Sequence, residues 1–271
     1  MPTDATADRD DPTGIEKRDV VVVGGGAAGL AAALFCARYG LDTLVFDRGP
    51  SAIRRAYLVE NYLGLPAVTP EEFLAIGREQ VTDAGASVVE DCVEEVVRDG
   101  SEGLRVETAD GRAVSAGSIV AASAYDDEYL PEGVDPTGAD EEGRIDRGLY
   151  AAGWLTGGPH QVLACAGHGT RVGKAVVADR RRADGWWDAV ADYWDWSVPE
   201  GRYDTDEWHE EVDAWLADTR PENVSDEHFE EVREAVKRER LDFQTTDGER
   251  DDRVAAGRAT LRDHLRWPDG R

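Results

Sequence analysis

The sequence predicts an α/β fold: a mostly parallel sheet with an antiparallel β-meander, followed by a C-terminal helical appendage. Three observations carry this. An unbroken apolar run at residues 20–23 leads into the glycine-rich loop Gly24–Gly29 and then a stretch of helical periodicity. Short apolar runs separated by turn residues continue to Ala152. After Ala183 the composition shifts, and seven of the eight tryptophans lie in residues 183–271 among other apolar residues at helical spacing.

Each element has its own signal. Residues 1–18 are short, charged and punctuated by Pro and Gly, and are expected to be a disordered acidic tail. Residues 20–23 read as a central parallel strand buried on both faces. Residues 27–39 read as a helix stopped by Gly40, and residues 43–46 as the second parallel strand of a βαβ unit. A second helix is expected at 70–84, with Thr69 as N-cap, Pro70 in the first turn and Glu72 completing a capping box. Residues 87–90, 93–97, 104–108 and 113–114 read as an antiparallel meander with turns at Asp99-Gly100 and Asp110-Gly111. Two more short strands are expected at 119–122 and 149–152, then a helix at 161–182.

Beyond that point helices are expected at 185–196, 206–217, 226–241 and 253–267. Trp208, Val212, Trp215 and Leu216 share one face of the second. Ser225 caps the third, whose stripe is Phe229, Val232 and Val236. The expected division is an acidic tail (1–18), a dinucleotide-binding domain (19–182) and an acidic, Trp-rich helical cap (183–271), packed on the first domain or on a second subunit.

The formal net charge is −27, from 57 acids against 30 bases, and only Lys17, Lys174 and Lys237 among the bases are lysines. Acids dominate both halves, as on a surface solvated in concentrated salt, where ions screen self-repulsion. The composition resembles that of proteins from extremely halophilic archaea. It argues against a nucleic-acid partner, which needs a basic stripe. There is no signal-like or membrane-spanning apolar run. Cys36, Cys92 and Cys165 form neither a C-x-x-C pair nor a metal-ligand cluster, so no metal is expected and a reducing cytoplasm is the simple inference.

Gly24-Gly25-Gly26-Ala27-Ala28-Gly29 fits G-x-G-x-x-G between a strand and a helix. Gly24 allows the tight turn, Gly26 the approach of a pyrophosphate, and Gly29 the close packing of helix on strand. The phosphates then face the free N–H groups and dipole of a helix N-terminus. Asp47, 23 residues after Gly24, is placed to accept from adenosine ribose hydroxyls and to repel a 2′-phosphate. Together these define a Rossmann-like dinucleotide-binding unit. The loop alone does not distinguish FAD from NAD.

The stretch "LVENYLGLPAVTPEEFLAIGREQVTDAGASVVE" resembles the thioredoxin-reductase family of flavoproteins, with Glu60-Asn61-Tyr62-Leu63-Gly64-Leu65-Pro66 standing for that family's E-N-[YF]-P-G-[FI]-P. Ala121-Ala122-Ser123-Ala124 stands for its Ala-Thr-Gly-Ala strand end, and "LYAAGWLTGGPHQVLACAGHGTRVGKAVV" for its A-A-G-D segment and last helix. The resemblance spans residues 19–182 and implies FAD. It places Gly24, Gly26, Ala27 and Gly29 on the pyrophosphate, Asp47 on the adenosine ribose and Asn61 near the flavin. Val93 would bind adenine through its backbone, and the Gln161 and Val162 backbone N–H groups would face the flavin carbonyl. Arg48, Ala122 and Gly153 complete the implied cofactor-binding set.

Four departures stand out. Only residues 125–147 separate the segments between which the family inserts an NAD(P)H domain, and no second G-x-G-x-x-G occurs. The redox C-x-x-C of that domain is missing too. Trp154 replaces the Asp that binds the ribityl chain, and its indole is expected to stack on or cover the flavin. "GPSAIRRAY" replaces a Pro-Gly-Gly-Gln loop, with Arg54 and Arg55 as either phosphate or anionic-substrate ligands or plain surface arginines.

Cys165, four residues after Gln161, faces the flavin side as either a reactive thiol or a small buried hydrophobe. His160, in the place of a family Arg, and His168 flank the same helix start, with His160 preferred for moving a proton. Cys165 and His160 are thus the candidate catalytic residues, and Cys36 and Cys92 are packing residues. The first functional reading is an FAD-dependent oxidoreductase that takes electrons from an external donor: a ferredoxin-like protein, reduced flavin, or NAD(P)H bound over the flavin. The family implies a homodimer. The alternatives are a non-catalytic flavin-binding sensor or complex-forming module, and a thiazole-synthase-like NAD-binding enzyme.

Overall fold

A strand that is apolar at every position needs cover on both faces, and the second half of β1 (Glu16–Val23) has it. The computed structural model describes residues 15–49, 51–99, 103–194 and 196–265. In it β1 is central, parallel to β2 (Thr43–Phe46) on one side and β6 (Ala113–Ala121) on the other. Successive side chains of a strand point to opposite faces. Val20 and Val22 therefore enter one core and Val21 and Val23 the other, all nearly inaccessible to solvent. The first core is closed by α1 (Ala27–Arg38), α2 (Pro70–Asp83) and the middle of α3 (Val162–Ala183), through Leu30, Ala33, Leu74, Val81, Val172 and Val176. The second holds Leu44, Phe46, Leu104, Val106, Ile119 and Leu149.

The sheet order is β3-β2-β1-β6-β5-β4, where β3 is Ser87–Val89, β4 Val93–Asp99 and β5 Gly103–Thr108. Away from β1, the other edge of β6 is divided. Its first half pairs antiparallel with β5, and its last three residues pair parallel with β8 (Leu149–Ala151), in register Ile119↔Leu149 and Ala121↔Ala151. Strand β7 (Arg144–Asp146) is antiparallel to β8. Helices α1 and α3 cross so closely that a side chain at Gly173 would sit 2.7 Å from the Ala32 carbonyl oxygen, and one at Gly169 would meet that of Ala28.

Several expectations need correction. Strand β1 begins at Glu16, inside the supposed tail. Its first rungs are held by charge rather than apolar burial, since Glu16 accepts from Arg18 and from Arg112, each at 2.8 Å to Nε. The rest of that tail lies outside the described residues. Residues 87–89 do not join the meander but pair parallel with β2. Segments 113–114 and 119–122 are one strand, because β1 pairs along its length. The Asp99-Gly100 turn lies outside the described residues at Gly100. The capping box on α2 is present as expected, with Glu72 N–H donating to Thr69 Oγ1 at 3.2 Å and Thr69 N–H to Glu72 Oε2 at 2.8 Å.

The chain divides into two compact units between Val177 and Ala178. The second contains α4 (Asp188–Ala191), α5 (Asp206–Thr219), α6 (Asp226–Asp242), α7 (Asp247–His264) and the short parallel pair β9 (Val198–Pro199) and β10 (Gln244–Thr245). Trp187, Trp208, Val212, Leu216, Val232 and Val236 form its core, whereas Trp196 is exposed. The expected helix at 185–196 shrinks to the single turn α4. The reason is Arg181, whose guanidinium is buried and takes the carbonyls of Ala191 (3.0 Å) and Tyr193 (2.9 Å) that a longer helix would use. Arg181 also pairs with Glu239 and lies against the rings of Trp186 and Trp194. The last helix, α7, starts earlier than expected and is exposed along most of its length. Its expected end, 266–267, lies outside the described residues. Among the described residues no helix is long and apolar enough to cross a membrane.

Removing a buried cation leaves its partners unpaired, which costs about 3–5 kcal/mol. R181M should therefore destabilise the second unit by that order and lower its denaturation midpoint. R250A, whose ion pairs are exposed, should leave it unchanged. Chemical denaturation followed by tryptophan fluorescence compares them.

Candidate functional site

At the C-terminal ends of β1 and β6, where the pairing with β2 and β8 is parallel, a cleft of about 680 Å3 opens. That volume suits an organic cofactor. Its floor is the turn from β1 into α1. Gly24 has φ +117°, and a side chain there would sit 2.6 Å from the Ala122 carbonyl oxygen. A side chain at Gly29 would collide with the Gly24 carbonyl. At Gly26 the nearest neighbour is Ser51 Oγ, 3.2 Å from where a Cβ would stand, so that face is open to the cleft. Helix α1 has no side-chain cap at Gly26 and no acid in its first turn. Its first N–H groups thus face the cleft without a protein acceptor from either source.

Of the sequence-derived set, Gly24, Gly26, Ala27, Asp47, Arg48, Val93, Ala122, Trp154, Gln161 and Val162 line the cleft, together with His160 and Cys165. Gly29, Asn61 and Gly153 do not. Gly29 lies behind the loop as a packing contact. Asn61 Nδ2 donates to Gln161 Oε1 at 3.5 Å, tying the 57–66 loop to the start of α3. Gly153 has φ +73°, and a side chain on it would sit 2.6 Å from Ala28 Cβ, so it lets the β8 end approach α1.

Asp47 is buried at the end of β2, accepts from Gly49 N–H at 3.0 Å and pairs with Arg78 of α2. Sequence reasoning missed Arg78, because its role depends on α2 folding back over β2 and leaves no local pattern. Arg48 pairs with Asp126, also unforeseen, from the link after β6. In that link Ala124 holds φ +67°, a conformation costing a non-glycine residue about 1–2 kcal/mol. Tyr129 is buried with its hydroxyl 2.9 Å from Ser123 Oγ, and burial drives its pKa upward.

Trp154 belongs to a 3-10 turn, Gly153–Thr156, between β8 and α3. Its indole packs between His160 and Tyr125, with the Tyr125 ring centroid 4.5 Å away. The Arg55 guanidinium lies 4.4 Å from the centroid of the Tyr125 ring. Tyr125 is another residue with no sequence signal beyond its place after the strand.

Cys165 Sγ lies 3.7 Å from the Pro159 carbonyl, and burial raises its pKa, so the thiol is held protonated rather than activated. Cys36 is fully buried under α3, and burial pushes its thiol up to about 12. Gln161 N–H donates to the Pro159 carbonyl at 2.9 Å, leaving Val162 as the first residue of α3 to offer its N–H forward.

His168 Nδ1 accepts from Gly153 N–H at 3.1 Å, which places the ring proton on Nε2. Burial, and then the nearby Arg171 charge, lower its pKa below the usual 6.5. It therefore positions the turn that carries Trp154.

Residues 19–107 match the FAD binding domain family. The thioredoxin reductase of Aquifex aeolicus is 35% identical over 133 residues, 44% of this chain and 41% of that protein. The bifunctional thioredoxin reductase/thioredoxin of Mycobacterium leprae is 36% identical over 116 residues, 41% of this chain and 25% of that one. The chain thus spans about two fifths or less of these curated relatives. Among solved structures, the thioredoxin reductase of Gloeobacter violaceus aligns with TM-score 0.58 at 16% identity, over 67% of this chain and 99% of that one. The atypical thioredoxin reductase TRi of Desulfovibrio vulgaris Hildenborough aligns with TM-score 0.56 at 18% identity, over 62% of this chain and all of that one. At these identities the structures speak to fold alone. The fold is that of thioredoxin-reductase-like, Rossmann-type FAD-binding proteins, and FAD is the cofactor the matches indicate.

A histidine kept neutral by the fold contributes stability above its unfolded-state value and loses it as pH falls through the lowered folded-state value. The advantage of the wild type over H168N in unfolding free energy should be full above pH 6.5 and shrink on acidification below it. Paired denaturant titrations across that range measure the difference.

Proposed function

We propose that this chain is an FAD-dependent oxidoreductase whose cofactor lies in the cleft, with its diphosphate on the α1 N-terminus, and receives electrons from an external donor. The observation that carries the reading is the uncapped, acid-free start of α1 at Gly26, opening onto a cleft of about 680 Å3. An anion there meets both free N–H groups and the positive end of the helix dipole. Gly24, Gly26 and Ala27 would hold the diphosphate, Asp47 the adenosine ribose and Val93 the adenine. Ala122, Trp154, Gln161 and Val162 would flank the flavin. FAD supplies the ability to accept and release electrons; the chain's own groups bind it, orient it and set the charge around it.

Support for an external donor comes from the link between β6 and β8. Residues 122–148 hold only a 3-10 turn at Pro136–Gly138 and the three-residue strand β7. A dinucleotide-binding domain needs at least about 50 residues. The cofactor domain on this reading is 19–182, residues 183–271 are a separate helical part, and a homodimer follows from the resemblance. His160, beside Trp154 at the mouth of the cleft, is the group placed to move a proton. Cys165, held as a thiol, is left to packing.

A second reading is a flavin-binding module without turnover. It is favoured by Trp154, whose indole packed between Tyr125 and His160 would cover the flavin. Anaerobic addition of NADH, NADPH, reduced ferredoxin and dithionite to the yellow protein separates the two. Bleaching by a physiological donor carries the first, and bleaching by dithionite alone the second.

A Cβ at Gly26 meets only Ser51 Oγ, at 3.2 Å, so G26V should fold normally by circular dichroism yet lose the visible flavin spectrum. Full retention of the chromophore would refute the site. D47A removes a charged hydrogen-bond acceptor and should weaken FAD by about tenfold or more in an equilibrium reconstitution.

A further inference from the structure

Three arginines line the cleft and a fourth, Arg78, reaches Asp47 on its wall, and they differ in how they are neutralised. Arg48 pairs with Asp126 and Arg78 with Asp47. Arg54 and Arg55, side by side in the 3-10 turn Ala52–Arg55, line the cleft and have no acid partner among the described residues. Arg55 instead lies over the ring of Tyr125, which also touches Trp154 and as a residue remains 49% exposed. On a chain of net charge −27, two adjacent uncompensated cations beside a flat aromatic face are a local reversal of sign.

We propose that Arg54, Arg55 and Tyr125 form a second binding site at the mouth of the cleft, for a small planar ligand bearing phosphate. The inference rests on the reading that FAD occupies the cleft and takes electrons from outside, and it names the class of donor. Guanidinium groups bind phosphate through charge-assisted hydrogen bonds, and an aromatic face takes a planar ring by stacking. The diphosphate of FAD is accounted for by the Gly24–Gly29 loop, so the arginines address a different anion.

Electrostatic range favours a small ligand over an acidic protein. The Debye length is about 10 Å at 0.1 M salt. A single phosphate group seated on the two guanidinium groups lies well within that distance of both. An acidic protein partner extends well beyond it and meets the anionic surface as a whole.

The test uses the purified holoprotein, with its flavin absorbance recorded first. A protein without flavin refutes the parent reading; the titrations below bear on this inference alone. NAD+, NADP+ and FMN are titrated by calorimetry into wild type, R54A/R55A and Y125A. The expected result is binding of at least one probe, weakened about tenfold or more in R54A/R55A and weakened in Y125A, with the visible flavin spectrum retained in both variants. Which probe binds separates a pyridine dinucleotide from a flavin mononucleotide as the ligand.

Four results would overturn the proposal. No probe binds the wild type, or the double variant binds as well as the wild type. R54A/R55A loses its flavin, which would assign the arginines to the cofactor's own diphosphate. Reduced ferredoxin bleaches the flavin in an arginine-dependent way while no small probe binds, which would assign them to a protein partner.

Discussion

The constraint on which the rest of this structure depends is the close passage of α1 over the end of β1. Gly29 has no side chain because the Gly24 carbonyl occupies that space, and Gly24 has none because Ala122 does. Those two contacts turn the chain from an extended strand into a helix within three residues. The helix therefore begins with its N–H groups aimed at the space between β1 and β6 rather than at protein. Everything placed around the cleft is placed relative to that point: Asp47 at the neighbouring strand end, Ala122 opposite, and the start of α3 on the far side. The small residues Gly169 and Gly173 extend the same principle, letting α3 lie directly against α1.

Much of this was legible from residues alone because the signals are local. Val20–Val23, the glycine loop, Thr69 with Glu72, and the helical spacing of Trp208, Val212 and Leu216 each report on their own neighbourhood. What escaped was set by distant partners. Glu16–Arg18 reads as polar tail, yet it is strand because Arg112 from the meander meets Glu16. Residues 185–196 read as helix, yet Arg181 takes the carbonyls that would continue it. Within the cleft, Asp47 and Trp154 stood out by position. Arg78 and Tyr125 did not, since nothing adjacent in sequence announces a partner reached through folding.

The cleft also organises charge in two layers. Arg48 on the lining is matched by Asp126, and Asp47 on the lining is matched by Arg78 from α2 behind it. At the rim, Arg54 and Arg55 stand unmatched against an acidic exterior. Burial in the same region keeps the titratable groups quiet: Cys165 protonated, His168 neutral, Tyr129 un-ionised. A site arranged this way presents a preorganised, low-reactivity wall to a cofactor that brings its own chemistry.

The divided edge of β6 has a wider meaning. Its last residues run beside β8 in register, so the chain leaves β6 at Ala122 and enters β8 after Gly148, whose carbonyl accepts from Ile119 N–H. Exit and entry are thus about three residues apart along the strand, roughly 10 Å. A segment whose own ends lie that close can be accommodated between β6 and β8 with the two strands kept in register. The length of the chain between these two strands is therefore decoupled from their pairing.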